Sequence, residues 1–249
     1  MAAKVVKEFK GFSGTEILLM KKHDQLFVRK TGNISRNVER MYALQDHYPL
    51  PKIYGYSKNK FDMEYIHGLD IKTYLKTHSH DYLLKFLMDV LQQLSADSVP
   101  KDYSTVYKQK LHELEFVPEI PFSKEQLFER LPKTLPCSNY HGDLTLENIL
   151  WSEQRGFLLI DCQTTEYDSH IFDLAKLRQD LECGWFVRQD SVMLDVKIKH
   201  IQNELLKIYP LANNNSLLIL MLLRVYRYSQ PHTKERNFLL DWINRLWKL

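Results

Sequence analysis

The chain has 249 residues, a formal net charge of +3, and is 44% hydrophobic and 26% charged. This balance excludes a disordered chain and fits one large domain or two lobes, and without a dense Lys/Arg block it gives no argument for nucleic acid or a membrane surface as partner. The opening Met-Ala-Ala-Lys-Val-Val-Lys-Glu lacks the apolar centre of a signal peptide, and the most apolar stretch, Leu217 to Leu223, is too short to span a bilayer, so a cytoplasmic location is expected.

Residues 9–30 begin with a turn carrying Gly11 and Gly14, followed by the apolar run Ile17 to Met20, a polar turn and Leu26 to Lys30. This reads as a β-hairpin behind a glycine turn whose backbone can approach a phosphate, although such turns also serve as plain connections. Alternation along the second strand puts Val28 and Lys30 on one face and Phe27 and Arg29 on the other. Ile34 to Gln45 has apolar residues at three- and four-residue spacing, the mark of an amphipathic helix, with Glu39 its only acid. After the break at Pro49 to Pro51, Lys52 to Tyr56 reads as a strand, and Phe61 to Ile66 as a second one ending at His67-Gly68.

From Leu69 the chain reads as helical. Leu83, Leu84, Phe86, Leu87, Val90, Leu91 and Leu94 form a strongly apolar face, and shorter helices are expected over Tyr107 to Phe116 and Phe122 to Leu131 between prolines. Beyond residue 170 the pattern gives a helix entered at Ile171-Phe172-Asp173-Leu174-Ala175, then helical stretches at about 190–208, 215–229 and 234–247. Their aromatic residues sit at helical spacing and read as core. Cys137, Cys162 and Cys183 are odd in number and unpatterned, which suits reduced thiols and gives no zinc signature.

The chemistry gathers between Asn139 and Asp161. His141, Gly142, Asp143 and Asn148 lie on a loop without strand or helix periodicity, which runs into Ile149-Leu150-Trp151. The turn Ser152 to Gly156 and the run Phe157 to Ile160 complete a hairpin that returns Asp161 beside Asn148. Phosphoryl transfer from a nucleotide needs such a set: one carboxylate to orient or deprotonate an acceptor hydroxyl, and an amide with a second carboxylate to hold Mg²⁺ on the phosphates.

His141-Gly142-Asp143, Asn148 and Asp161 resemble the catalytic loop and metal aspartate of protein kinases. They are closer to the kinase-like phosphotransferases of the aminoglycoside phosphotransferase and choline kinase group, which read His-Gly-Asp where protein kinases read His-Arg-Asp. Cys162-Gln163 after the metal aspartate, where protein kinases have Phe-Gly, points the same way. Thr145-Leu146-Glu147 departs from the His-Pro-Gly frequent in aminoglycoside kinases. The resemblance implies an α+β, two-lobed fold, with an antiparallel N-terminal lobe over residues 1–66 and a mainly helical lobe over 67–249.

It also implies roles. Asp143 would be the base, His141 and Asp173 would brace the catalytic loop, and Asn148 and Asp161 would hold Mg²⁺. Lys30, paired with Glu39, would contact the phosphates of ATP or GTP, with Arg29 as the alternative if the strand register differs by one. Gly11 and Gly14 would approach the phosphates, and the Glu64 carbonyl and Ile66 amide would hold the base. The expected partner is a small-molecule hydroxyl acceptor. A sugar or sugar phosphate of bacterial surface-polysaccharide metabolism comes first. A choline- or aminoglycoside-type cation comes second, for which Glu166, Tyr167, Asp168 and Glu182 could line an acidic, aromatic pocket. A silent nucleotide-binding scaffold is the reading from another class. A protein kinase is disfavoured, since no Ala-Pro-Glu run follows Asp161.

Overall fold

The computed structural model describes residues 3–9, 15–187 and 192–249. By its internal contacts the chain divides into two compact units: Met1–Thr77 with His141–Asp143 and Glu147–Thr165, and the remainder.

The first unit is built on strands β1 (Lys4–Phe9), β2 (Glu16–Lys22) and β3 (Gln25–Thr31), helix α1 (Ser35–Leu44), and strands β4 (Ile53–Ser57) and β5 (Lys60–Glu64). The strands form one antiparallel sheet in the order β1-β2-β3-β5-β4. Strands β2 and β3 match the hairpin expected from the sequence. Strand β1 is exposed up to Phe9, which is half-buried, so its sequence carries no alternation to reveal it. Helix α1 buries Val38, Met41 and Leu44, with Ile34 just ahead of its first turn, and leaves Glu39 exposed.

A short strand β6 (Leu69–Asp70) and helix α2 (Ile71–Thr77) follow, where the sequence pattern suggested helix alone. Later in the chain, β9 (Ile149–Ser152) and β10 (Gly156–Leu159) form the expected hairpin, and β6 pairs with β9. Tyr74 of α2 packs on Trp151 and Phe157, with ring centroids 5.3 and 5.0 Å away. A backbone bond from Leu159 N–H to the Pro49 carbonyl, 2.8 Å, fastens β10 to the earlier chain. These contacts join the β9–β10 hairpin to the earlier segment of the first unit, which runs to Thr77.

The second unit contains α3 (Asp81–Ser95), strand β7 (Val99–Asp102), α4 (Ser104–Glu113), α5 (Lys124–Arg130), strand β8 (Thr134–Cys137), α6 (His170–Leu181), α7 (Val192–Ile208), α8 (Asn215–Tyr226) and α9 (Lys234–Lys248). Leu83, Leu87, Val90, Leu91 and Leu94 of α3 are buried, as its apolar face requires. Ser216 to Leu223 of α8 are buried all round, which makes the most apolar stretch of the sequence a core helix. Among the described residues no helix is long and apolar enough to cross a membrane. Strands β7 and β8 form a ribbon with Pro100 opposite Pro136, so two prolines occupy one cross-strand pair. A pair that exchanges no ladder hydrogen bonds tolerates proline on both sides.

Candidate active site

Arg29 and Lys30 of strand β3 have different partners. Asp62 stands opposite Arg29 on β5 and takes both its Nε and Nη2 at 2.7 Å. Lys30, on the other face, is 6% exposed and its ammonium pairs with the Asp161 carboxylate. Burial pushes the Lys30 ammonium down to about 8, with a smaller opposing effect from Cys162.

Glu39 does not supply that partner: it is exposed on α1, while Val38, Arg40 and Met41 turn inward. Gly11 and Gly14 lie outside the described residues. Glu64 ends β5, and its carboxylate accepts the Lys52 N–H at 3.1 Å and pairs with Arg155 in the turn of the β9–β10 hairpin. Its side chain is therefore a structural tie as well as a member of the expected hinge. Ile66 follows it and is buried.

The loop itself is ordered by short-range bonds. His141 is 0% exposed, and its Nδ1 accepts the Asp143 N–H at 3.2 Å, which leaves the proton on Nε2. Burial pushes its pKa down to about 4 against the opposing pulls of the Asp143 carboxylate and the Ile160 backbone, so the ring is neutral at pH 7. Gly142 adopts φ +93°, a region L side chains avoid.

Asn148 Nδ2 donates to the Asp143 carbonyl at 2.8 Å and to its carboxylate at 3.2 Å. Both partners are acceptors, which fixes the amide orientation and turns Oδ1 away as the atom able to meet a cation. The Asn148 carbonyl accepts the Ile160 N–H at 2.9 Å, placing Asp161 immediately beyond the hairpin end. Asp161 has φ +59°, unusual for a non-glycine residue, and its side chain is 32% exposed. Lys30, His141, Asp143, Asn148 and Asp161 thus meet within the first unit.

Asp173 and Asp168 belong to the second unit. Asp173 is 2% exposed in the first turn of α6. The cap of that helix is Ser169, whose side chain accepts the Ile171 N–H at 3.2 Å, while Asp168 is held by Lys101 Nζ at 2.6 and 2.8 Å and Tyr103 Oη at 3.0 Å. Burial works to raise the Asp168 pKa, but hydrogen bonds from Lys101, Cys137 and Tyr103 hold it below its ordinary value. One residue escaped sequence reasoning: Asp180, 0% exposed on α6, accepts the Leu146 N–H at 2.8 Å and so anchors the middle of the loop. Its signal, an acid amid Leu177, Leu181 and other apolar residues, is too common to single out alone.

The residues fit a divalent cation of the Mg²⁺ kind. Such an ion needs only one or two protein oxygens when phosphates and water complete its shell. The Asn148 Oδ1 and the Asp161 carboxylate would supply that set.

Comparison with known proteins follows the same line. No curated protein matches the chain. Among solved structures, a ternary complex of a thermostable mutant of aminoglycoside phosphotransferase APH(4)-Ia with ADP and hygromycin B superposes with a TM-score of 0.70 at 9% identity, covering 99% of this chain and 94% of that one. The choline kinase LicA from Streptococcus pneumoniae gives 0.56 at 16% identity over 100% and 94% of the two chains. A Plasmodium vivax ethanolamine kinase gives 0.57 at 11% over 98% and 82%. At these identities the likeness is one of fold, and it carries the α+β, kinase-like architecture. The model of the phosphotransferase enzyme family (APH) matches residues 11–195, a span that includes Lys30, the His141 loop and the Asp161 hairpin. The chain belongs to that phosphotransferase family.

Proposed function

We propose that the protein transfers the γ-phosphate of ATP or GTP to a hydroxyl group of a sugar or sugar phosphate. The observation that carries the transfer reaction is the Asn148 side chain. Its amide is spent on Asp143, so a single residue sets the carboxylate that would face the acceptor and, from its other side, offers oxygen to the cation. Asp143 aligns the hydroxyl and receives its proton. Lys30 neutralises charge on the nucleotide phosphates. His141, held neutral, fixes the loop by accepting the Asp143 N–H and is not a proton carrier at neutral pH. Mg²⁺ held by Asn148 and Asp161 would supply charge stabilisation on the transferred group. The transfer asks the protein mainly for placement and electrostatics, so these few fixed groups suffice.

For the acceptor, the four residues suggested for a cationic pocket give a test. Asp168 is held by Lys101 and Tyr103, Glu182 by Arg178 at 2.8 Å and Gln202 at 3.0 Å, and the Tyr167 ring is covered by the Arg224 guanidinium at 4.9 Å. Three of the four are thus engaged by internal partners, and a cationic acceptor would have to compete with Lys101, Arg178 and Arg224 for them. A cationic acceptor is the second reading, favoured by the aminoglycoside, choline and ethanolamine kinases among the structural neighbours.

A thermal-shift series tests the nucleotide half of the proposal. Mg-ATP or Mg-GTP at a hundredfold excess over its dissociation constant should stabilise the protein by about 2.7 kcal/mol through mass action. No response to any nucleoside triphosphate with Mg²⁺ would remove the reading.

A further inference from the structure

The residues that follow Asp161 are tied to helix α1. The peptide joining Cys162 to Gln163 is bonded at both ends: its carbonyl accepts from Asn37 Nδ2 at 3.1 Å, and its N–H donates to the His141 carbonyl at 3.0 Å. One residue on, the Thr164 N–H donates to the Arg36 carbonyl at 2.9 Å. Cys162 is 0% exposed, so this peptide has little access to water as a substitute partner. Asp161, just before it, sits at φ +59°, a conformation that persists only when its surroundings hold it. The direction of its carboxylate therefore depends on the peptide behind it.

Of these three bonds, the Asn37 amide's is the one made by a side chain. Two residues further along α1 is about 200° round a helix, which turns Glu39 to solvent when Asn37 faces the Cys162 carbonyl. Helix α1 consequently reaches the cation site by another route than an acid paired with Lys30.

We infer that Asn37 is a positioning residue for Asp161, setting the metal carboxylate through the Cys162 carbonyl. This rests on the phosphotransfer reading above. Its effect falls on the Mg²⁺-dependent part of nucleotide binding.

The test variant is Asn37→Asp. It is nearly isosteric, cannot donate to the carbonyl, and places an acid in the first turn of a helix that has none, where an acid is favourable. Three proteins are compared: wild type, Asn37→Asp, and Asn37→Gln, which keeps an amide donor. Amide hydrogen exchange over residues 161–164 is measured without metal, and ATP affinity is measured with Mg²⁺ and in EDTA. Asn37→Asp should speed exchange in that segment and reduce the Mg²⁺-dependent gain in affinity by about 10- to 100-fold, the usual effect of losing a partner behind a metal ligand. Affinity in EDTA should stay at the wild-type level, and Asn37→Gln should recover part of the gain.

A wild-type gain that Asn37→Asp keeps in full would overturn the inference alone. So would an equal loss with and without Mg²⁺, which marks a general effect on the fold. A wild type with no Mg²⁺-dependent gain at all would overturn the phosphotransfer reading and this inference with it.

Discussion

Gly142 passes against the backbone of Gln163 so closely that a Cβ on it would overlap the Gln163 carbonyl oxygen and lie 3.1 Å from the carbonyl carbon. The neighbouring His141 carbonyl takes the Gln163 N–H at 3.0 Å, so the two segments cannot part without breaking that bond. The glycine of the His-Gly-Asp motif is required by this crossing and by its φ of +93°. An arginine in its place would demand a different path for the chain after Asp161.

The first prediction follows directly. Gly142→Ala should destabilise the protein by about 2–4 kcal/mol, combining overpacking against backbone with a strained φ. Chemical denaturation of the two proteins measures it, and a change below about 0.5 kcal/mol, the range of a neutral surface substitution, would contradict the crossing.

Acid should weaken the fold before most carboxylates titrate. His141 and His170 are 0% and 4% exposed, and burial pushes both from the ordinary 6.5 down to about 4. The folded protein keeps them neutral while the unfolded chain takes up their protons. Their contribution is therefore complete above pH 6.5 and is lost as pH falls toward 4, by about 3 kcal/mol for each histidine. The unfolding midpoint should drop steadily between about pH 7 and pH 5. A flat midpoint over that interval would show that neither ring is held neutral.

Asp180 offers a prediction about the loop. Asp180→Ala leaves the Leu146 N–H without its acceptor and should cost about 1–3 kcal/mol, with a larger fall in turnover than in nucleotide affinity. Asp180→Asn keeps an acceptor oxygen and should recover most of both. Equal behaviour of the two variants would assign the effect to the buried charge and not to the bond.

The hairpin could be read from the chain because its information is local. Ile149 to Trp151, the turn to Gly156 and the run from Phe157 fix the pairing of Trp151 with Phe157, and Asp161 follows from the length. What the sequence left open depends on partners far along the chain. Arg29 is turned to Asp62, directly opposite it on the neighbouring strand β5, and the helical pattern of α1 cannot say that Asn37 meets the Cys162 carbonyl while Glu39 stays in water. Asp180 was hidden because α6 is buried on nearly every side, so an acid on it shows no contrast of faces. The β7–β8 ribbon was hidden by Pro100 and Pro136, whose usual meaning as breaks is reversed only by their pairing.

Whether Asp143 handles the acceptor proton is tested most directly by transfer of labelled phosphate from ATP by wild type and Asp143→Asn side by side. The acceptors are sugars, sugar phosphates, amino alcohols and aminoglycosides. Asparagine keeps the shape but cannot take the proton, so nucleotide affinity should stay near the wild-type value while turnover on the preferred sugar-type acceptor falls by about 10²- to 10⁴-fold. Transfer that survives intact in Asp143→Asn would contradict the role of Asp143, and wild-type protein that binds nucleotide but phosphorylates no acceptor would mark a silent scaffold instead of an enzyme.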